Sequence, residues 1–147
     1  MKNTFIIAEV GINHNGNMRI ASQLIKKAKI AGADAVKFQT YKTDYLVSKY
    51  EPKMQYQQIN DKTKETQYEM LKRSELSEEN HDFLIKECKK NNIEFLSTPY
   101  DLESAYFLIK KKIKRLKIAS TDANNLHFLR ELVQKNVKLI ISTGVSN

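Results

Sequence analysis

"IIAEVGINHNG", residues 6–16, joins a short apolar run to one glutamate, two asparagines, one histidine and two glycines. An ordinary connection needs one or two turn residues, whereas nearly every position after Val10 here is a hydrogen-bonding side chain or a glycine. Such density marks a site rather than a link. It also decides between two folds. A dinucleotide-binding sheet carries G-x-G-x-x-G directly after its first strand, because the backbone must approach a pyrophosphate there. Gly11 and Gly16 are too far apart for that motif, so the other strand–helix architecture, the (β/α)₈ barrel, is favoured.

Outward from this stretch the same rhythm recurs. "FIIAEV" (5–10), "AVKFQT" (35–40), "IEFLST" (93–98), "RLKIAS" (115–120) and "VKLIIST" (137–143) are short, β-branched runs that read as strands. Between them lie helical periods. Ile20, Leu24 and Ala28 stand at i, i+4 and i+8, flanked by Ala21 and Ile25, and Gly32 stops that helix. Ser77 with Glu78 and Glu79 opens a second helix, with Phe83, Leu84 and Cys88 as its apolar face. Asp101 caps a third, running to about Lys111 with Leu102, Ala105, Leu108 and Ile109 inward. Asn124 or Asn125 caps a fourth, with Leu126, Leu129, Leu132 and Val133 inward. The expected fold is α/β: a partial (β/α)₈ barrel of about five parallel strands with intervening helices, one unit over residues 1–147. Residues 41–76 interrupt the rhythm as a long polar βα excursion that contains a short helix within "TKETQYEMLKR" (63–73). Its tyrosines read as packing residues.

Composition narrows the function. Hydrophobic residues make up 41% and charged residues 29%, as in a globular domain. Glu9 halts the first apolar run before it reaches signal-peptide length, and no segment approaches the ~20 apolar residues of a membrane helix. The single Cys88 rules out an internal disulfide and a cysteine-based zinc site, which suits a cytoplasmic protein. The net charge of +8 comes from lysines such as Lys26, Lys27, Lys29, Lys89, Lys90 and Lys110–Lys112 on polar helix faces and ends. No aromatic–basic stripe accompanies them, so nucleic acid is not the expected partner.

The strand ends assemble into one rim. They supply Glu9, Asn13, His14 and Asn15; Lys37 and Gln39; Ser97 and Thr98; Lys117, Ser120, Thr121 and Asp122; then Ser142 and Thr143. A lone lysine in an apolar strand usually points outward from an edge. Two of them, Lys37 and Lys117, both near strand ends and beside hydroxyls, instead imply inward ammonium groups facing an anion, since burying an unpaired charge is costly. Glu9 reads as an acid or base, or as a neutralising partner. His14 reads as a turn residue rather than a metal ligand, and His81 and His127 as surface residues on helices.

Taken in order, "IAEVGINHNG", "AGADAVKFQTY", "YEMLKRSELSEENHDFL", "IEFLSTPYDLES", "LKIASTDANNL" and "LIISTGVSN" resemble the sialic acid (N-acetylneuraminate) synthase family over nearly the whole chain. The resemblance implies condensation of phosphoenolpyruvate with an N-acylated hexosamine, giving a nonulosonic acid and phosphate. It implies that Lys37, Thr98, Lys117, Ser120 and Ser142 hold the phosphoenolpyruvate, that Glu9 is the active-site carboxylate and that Gln39 contacts the sugar. Asp122 stands in "STD" where the family commonly has glutamate in "SGE", which leaves a shorter side chain there. The family's divalent cation, Mn or Mg, is held by histidines beyond this chain's length, as are its remaining strands and terminal domain. The chain is therefore expected to be the N-terminal part of a barrel, inactive alone or completed by a homodimer or a C-terminal chain. Rival readings are a Schiff-base aldolase working through Lys37 or Lys117, an inactive half-barrel that binds without catalysis, and a synthase for another nonulosonic acid.

Overall fold

Five parallel strands lie side by side in the order in which the chain makes them: β1 (Ile7–Gly11), β2 (Ala35–Thr40), β3 (Glu94–Pro99), β4 (Arg115–Ile118) and β5 (Lys138–Ile141). The structure is a computed structural model that describes residues 4–53 and 65–144. A doubly wound sheet reverses its strand order at a switch point and carries helices on both faces. Here the order never reverses. The crossover helices α1 (Met18–Ile30), α4 (Glu78–Lys90), α5 (Leu102–Lys110) and α6 (Leu126–Val133) share one core with one face of the sheet. These are successive staves of a (β/α)₈-type barrel.

Strand alternation divides the two faces. Val36, Phe38, Phe95, Leu116 and Ile118 point outward and are buried against Ala21 and Ile25 of α1, Leu84 and Cys88 of α4, Leu108 of α5 and Leu132 of α6. The inner face is different. The pairs Glu9↔Lys37, Lys37↔Leu96 and Gln39↔Thr98 put charged and polar residues in rows across β1, β2 and β3. Below them, nearer the strand starts, Arg115 forms a two-pronged ion pair with Glu94 at 2.7 and 2.9 Å and lies over the ring of Phe5.

The helix starts follow their capping residues. Asn17, Ser77, Asp101 and Asn125 each accept a hydrogen bond from a backbone N–H two or three positions on. Each such cap is worth about 1 kcal/mol. The long excursion holds α2 (Thr43–Leu46) and α3 (Gln67–Ser74), the latter closed by a capping box between Thr66 and Glu69. Residues 63 and 64 of the expected short helix lie outside the described residues.

Three sequence expectations are corrected. In α4 the buried stripe is His81, Leu84 and Cys88, so His81 is inside at 2% exposure while Phe83 is exposed. The stripe 81–84–88 has helical spacing, and a neutral imidazole with both nitrogens bonded can sit in it. In α6 Leu126 and Val133 are exposed, and Phe128 takes the inward place beside Leu132. Among the tyrosines of the excursion, Tyr41 is buried, whereas Tyr45 and Tyr50 are exposed. Tyr56 lies outside the described residues.

Candidate active site

The turn after β1 is built by backbone as much as by side chains. The pairing slips between Glu9 and Gly11, so Val10 is a bulge, and Gly11 adopts φ +54°. Bulges of this kind re-aim the neighbouring side chain. A Cβ at Gly11 would stand 3.3 Å from Glu9 Oε1 and 3.6 Å from Gln39 Nε2, so its absence leaves the space into which both side chains reach. His14 is buried at 1% exposure, and its Nδ1 accepts the Gly16 N–H at 3.0 Å. Burial, and then the charge of His81, holds its pKa down to about 4, so the ring is neutral. Gly16 has φ +73°, and any side chain there would run into the Arg73 carbonyl at the end of α3. The "NHNG" turn is thus the seat on which the long excursion docks.

The inner face gathers the charged residues. Lys37, with a side chain 11% exposed, sits 2.5 Å from Glu9 Oε2, and its Nζ donates to Thr98 Oγ1 at 3.0 Å. Glu9 is half exposed and open to solvent on its other side. Lys117 Nζ donates to the neighbouring Ile118 carbonyl at 2.8 Å. Its pKa is lowered by burial first and by the Lys37 ammonium second, with Glu9 acting in the opposite direction. The three groups therefore feel one another across the sheet. Among the described residues the Lys117 ammonium meets a carbonyl dipole but no carboxylate hydrogen bond, which leaves positive potential for an arriving anion.

The remaining expected residues occupy the same rim. Ser120, Thr121 and Asp122 form a 3₁₀ turn directly after β4. Ser142 follows β5, and its N–H donates to the Ile118 carbonyl at 3.1 Å. Asp122 has one buried carboxylate oxygen without a hydrogen-bond partner among the described residues, and burial raises its pKa. Tyr100 was not singled out from the sequence. Its pKa is raised by burial, then by the charges of Glu9 and Asp122. Its N–H donates to the Thr40 carbonyl at the end of β2. An aromatic residue directly after a strand-ending proline was the available signal. His127 is exposed and apart from this group. Among the described residues, no three His, Cys, Asp or Glu side chains are grouped to hold a metal ion. No helix among them is long and apolar enough to cross a membrane.

Comparisons with known proteins agree with the fold. The sequence model of the NeuB family matches residues 24–147. An N,N'-diacetyllegionaminic acid synthase of Legionella pneumophila is 50% identical over 141 residues, 96% of this chain and 40% of that protein. The enzyme of that name from Campylobacter jejuni is 44% identical over 147 residues, all of this chain and 44% of the relative. In structure, N-acetylneuraminic acid synthetase from Leptospira borgpetersenii, solved in complex with citrate, superposes with a TM-score of 0.82 at 29% identity. That match covers 99% of this chain and 46% of the other. This chain spans about two fifths of the length of the curated relatives it matches.

Proposed function

This chain belongs to the NeuB family, and from that premise we propose that it forms the phosphoenolpyruvate-binding part of a synthase for a nonulosonic acid. The acceptor is an N-acylated hexosamine. The observation that carries the reading is the pairing of Lys37 and Lys117 on one polar face with Thr98 and Glu9. Phosphoenolpyruvate bears a phosphate and a carboxylate, and two ammonium groups with neighbouring hydroxyls offer charge-assisted hydrogen bonds to both.

In this reading Lys37, Thr98, Lys117, Ser120 and Ser142 hold the donor, and Gln39 meets the sugar. The methylene carbon of phosphoenolpyruvate attacks the aldehyde of the open-chain sugar, forming the new C–C bond. Water then adds at the cationic carbon, and phosphate leaves from the tetrahedral intermediate. Negative charge persists on carboxylate and phosphate throughout, so the fixed ammonium groups favour every state along the path. Glu9 orients or deprotonates the water or a sugar hydroxyl. Asp122, whose protonated form is favoured by burial, serves in this reading as a proton donor at the rim.

The family's divalent cation finds no ligand set among the described residues, and we assign its ligands to a complementing part of the barrel, from the same or another chain. The names of the relatives favour an acceptor leading to N,N'-diacetyllegionaminic acid over N-acetylmannosamine. The test mixes phosphoenolpyruvate, either sugar and Mn or Mg with the chain, with and without the C-terminal barrel half of a relative. Phosphate release that requires the sugar, together with a new 2-keto acid, supports the reading. Phosphate release that ignores the sugar contradicts it.

A further inference from the structure

On the outer face, directly behind the polar rows, runs a buried chain of hydrogen bonds. His81 Nδ1 lies 2.8 Å from the Ser77 carbonyl oxygen, which can only accept, so this nitrogen carries the proton. His81 Nε2 is then an acceptor, and the Thr40 hydroxyl 2.9 Å away donates to it. The Thr40 oxygen in turn accepts from the Ser97 hydroxyl at 2.7 Å. His81, Thr40 and Ser97 are 2%, 5% and 0% exposed. Every link thus has one direction, set by a single carbonyl at the start of α4.

The chain ties a helix to two strand ends at the height of the site. Thr40 follows Gln39, Ser97 precedes Thr98, and Gln39 pairs with Thr98 in the sheet. Because neighbouring strand residues face opposite ways, a displacement of Thr40 or Ser97 on the outer face moves Gln39 or Thr98 on the inner face. Thr98 is the hydroxyl that receives the Lys37 ammonium. Phe95 and Phe107 meet the imidazole in T-shaped contacts at 6.4 and 4.9 Å between centroids, which restrain its orientation.

We propose that His81 is a positioning residue for the phosphoenolpyruvate site: acting through Thr40 and Ser97, it holds the ends of β2 and β3 where Thr98 meets Lys37. The inference rests on the donor-binding reading above for its ligand, but the hydrogen-bonded chain stands without it.

The test compares five variants of the chain, the single His81→Phe among them, by calorimetric titration of phosphoenolpyruvate, by melting temperature and by the NMR resonances of Gln39 and Thr98. Thr40→Val keeps the shape and removes the hydroxyl; binding weakens by roughly 5- to 10-fold, the worth of one hydrogen bond. Thr40→Ser restores the hydroxyl and returns affinity to within about 2-fold. Thr40→Val combined with His81→Phe binds no worse than the weaker single variant, because both break the same chain. Leu84→Ala, one turn along α4 in the core, lowers the melting temperature at least as much yet leaves affinity within about 2-fold. Unchanged affinity in Thr40→Val, or equal weakening in Leu84→Ala, overturns the inference. Should the wild-type chain bind no phosphoenolpyruvate, the donor reading fails by itself. The ligand-free spectra then decide: Thr98 and Gln39 signals displaced by Thr40→Val and recovered by Thr40→Ser support the positioning role, and unmoved signals refute it.

Discussion

The Lys37 ammonium is held 2.5 Å from the Glu9 carboxylate, on the inner face of the sheet, across the register pair that β1 and β2 make. The pair gives a mostly buried lysine a carboxylate partner while leaving Glu9 half exposed. An incoming anion therefore meets a carboxylate already spoken for and a second lysine, Lys117, with no carboxylate hydrogen bond among the described residues.

Removing the two members of that pair should have opposite effects on donor binding. Lys37→Met removes a positive charge and a hydrogen bond, and phosphoenolpyruvate affinity falls by about 10-fold or more. Lys37→Arg does not restore it, because a planar guanidinium cannot replace a compact ammonium between Glu9 and Thr98. Glu9→Gln removes a competing negative charge, so affinity holds or rises while turnover in the completed enzyme is lost. Calorimetry and product assays separate the two.

Gly11→Ala tests the bulge. The left-handed backbone costs a side-chain-bearing residue about 1–2 kcal/mol, and the new Cβ would press on Glu9 Oε1 from 3.3 Å. Urea unfolding should show the loss of stability, and phosphoenolpyruvate titration should show weaker binding as the Glu9–Lys37 pair shifts.

Much of this arrangement was legible before any coordinates, and the gaps have physical causes. β2 was read to the residue because Gly32 stops the preceding helix and Lys37 and Gln39 alternate with apolar neighbours. Three of the four crossover helix starts were read from their caps, Ser77, Asp101 and Asn124 or Asn125, while the Asn17 cap of α1 was not singled out. Inward faces were harder. α6 is only eight residues long and apolar on several sides, so Leu126 and Val133 were as eligible for the core as Phe128. His81 looked like a surface residue because polarity was weighed above its i, i+3, i+7 spacing with Leu84 and Cys88. At the site, the lysines announced themselves by their charge within apolar strands. The bulge at Val10 depends on how β1 pairs with β2, and the place of Tyr100 on how β3 ends, which residue types alone do not encode.

Stability should fall on mild acidification. The folded pKa of His14 is lowered to about 4 and that of His81 is also lowered, burial leading in both cases. Around His81, Lys111 and Lys42 push the same way, while Asp82 and the Ser77 carbonyl oppose. The unfolded chain, with histidines near 6.5, binds more protons than the folded one below that pH. The contribution is therefore complete above about pH 6.5 and is lost as pH drops toward 4. Melting temperature should fall by roughly 4–8 °C between pH 7.5 and 5.5, with the His14 imidazole still neutral by NMR at pH 5.5.

Cys88 should resist thiol reagents in the folded chain. It is 1% exposed, and burial, followed by Glu87, pushes its pKa up to about 12. Alkylation by iodoacetamide at pH 8 should track global unfolding in urea, since the thiolate is scarce and covered until then.

The aldolase alternative draws on one observation, the lowered pKa of Lys117, which is the direction imine chemistry requires. In the donor-binding account that lysine grips an anion and forms no imine. Borohydride with pyruvate should leave the mass of the chain unchanged, whereas an adduct on Lys117 would favour the lyase.

The most direct measurement is calorimetric titration of phosphoenolpyruvate into the wild-type chain and into Lys117→Met at two salt concentrations. The account predicts saturable one-to-one binding by the wild type, weakened about 10-fold or more in the variant and less dependent on salt once the charge is gone. Equal affinity in both proteins, or no heat from the wild type at several millimolar ligand, would contradict it.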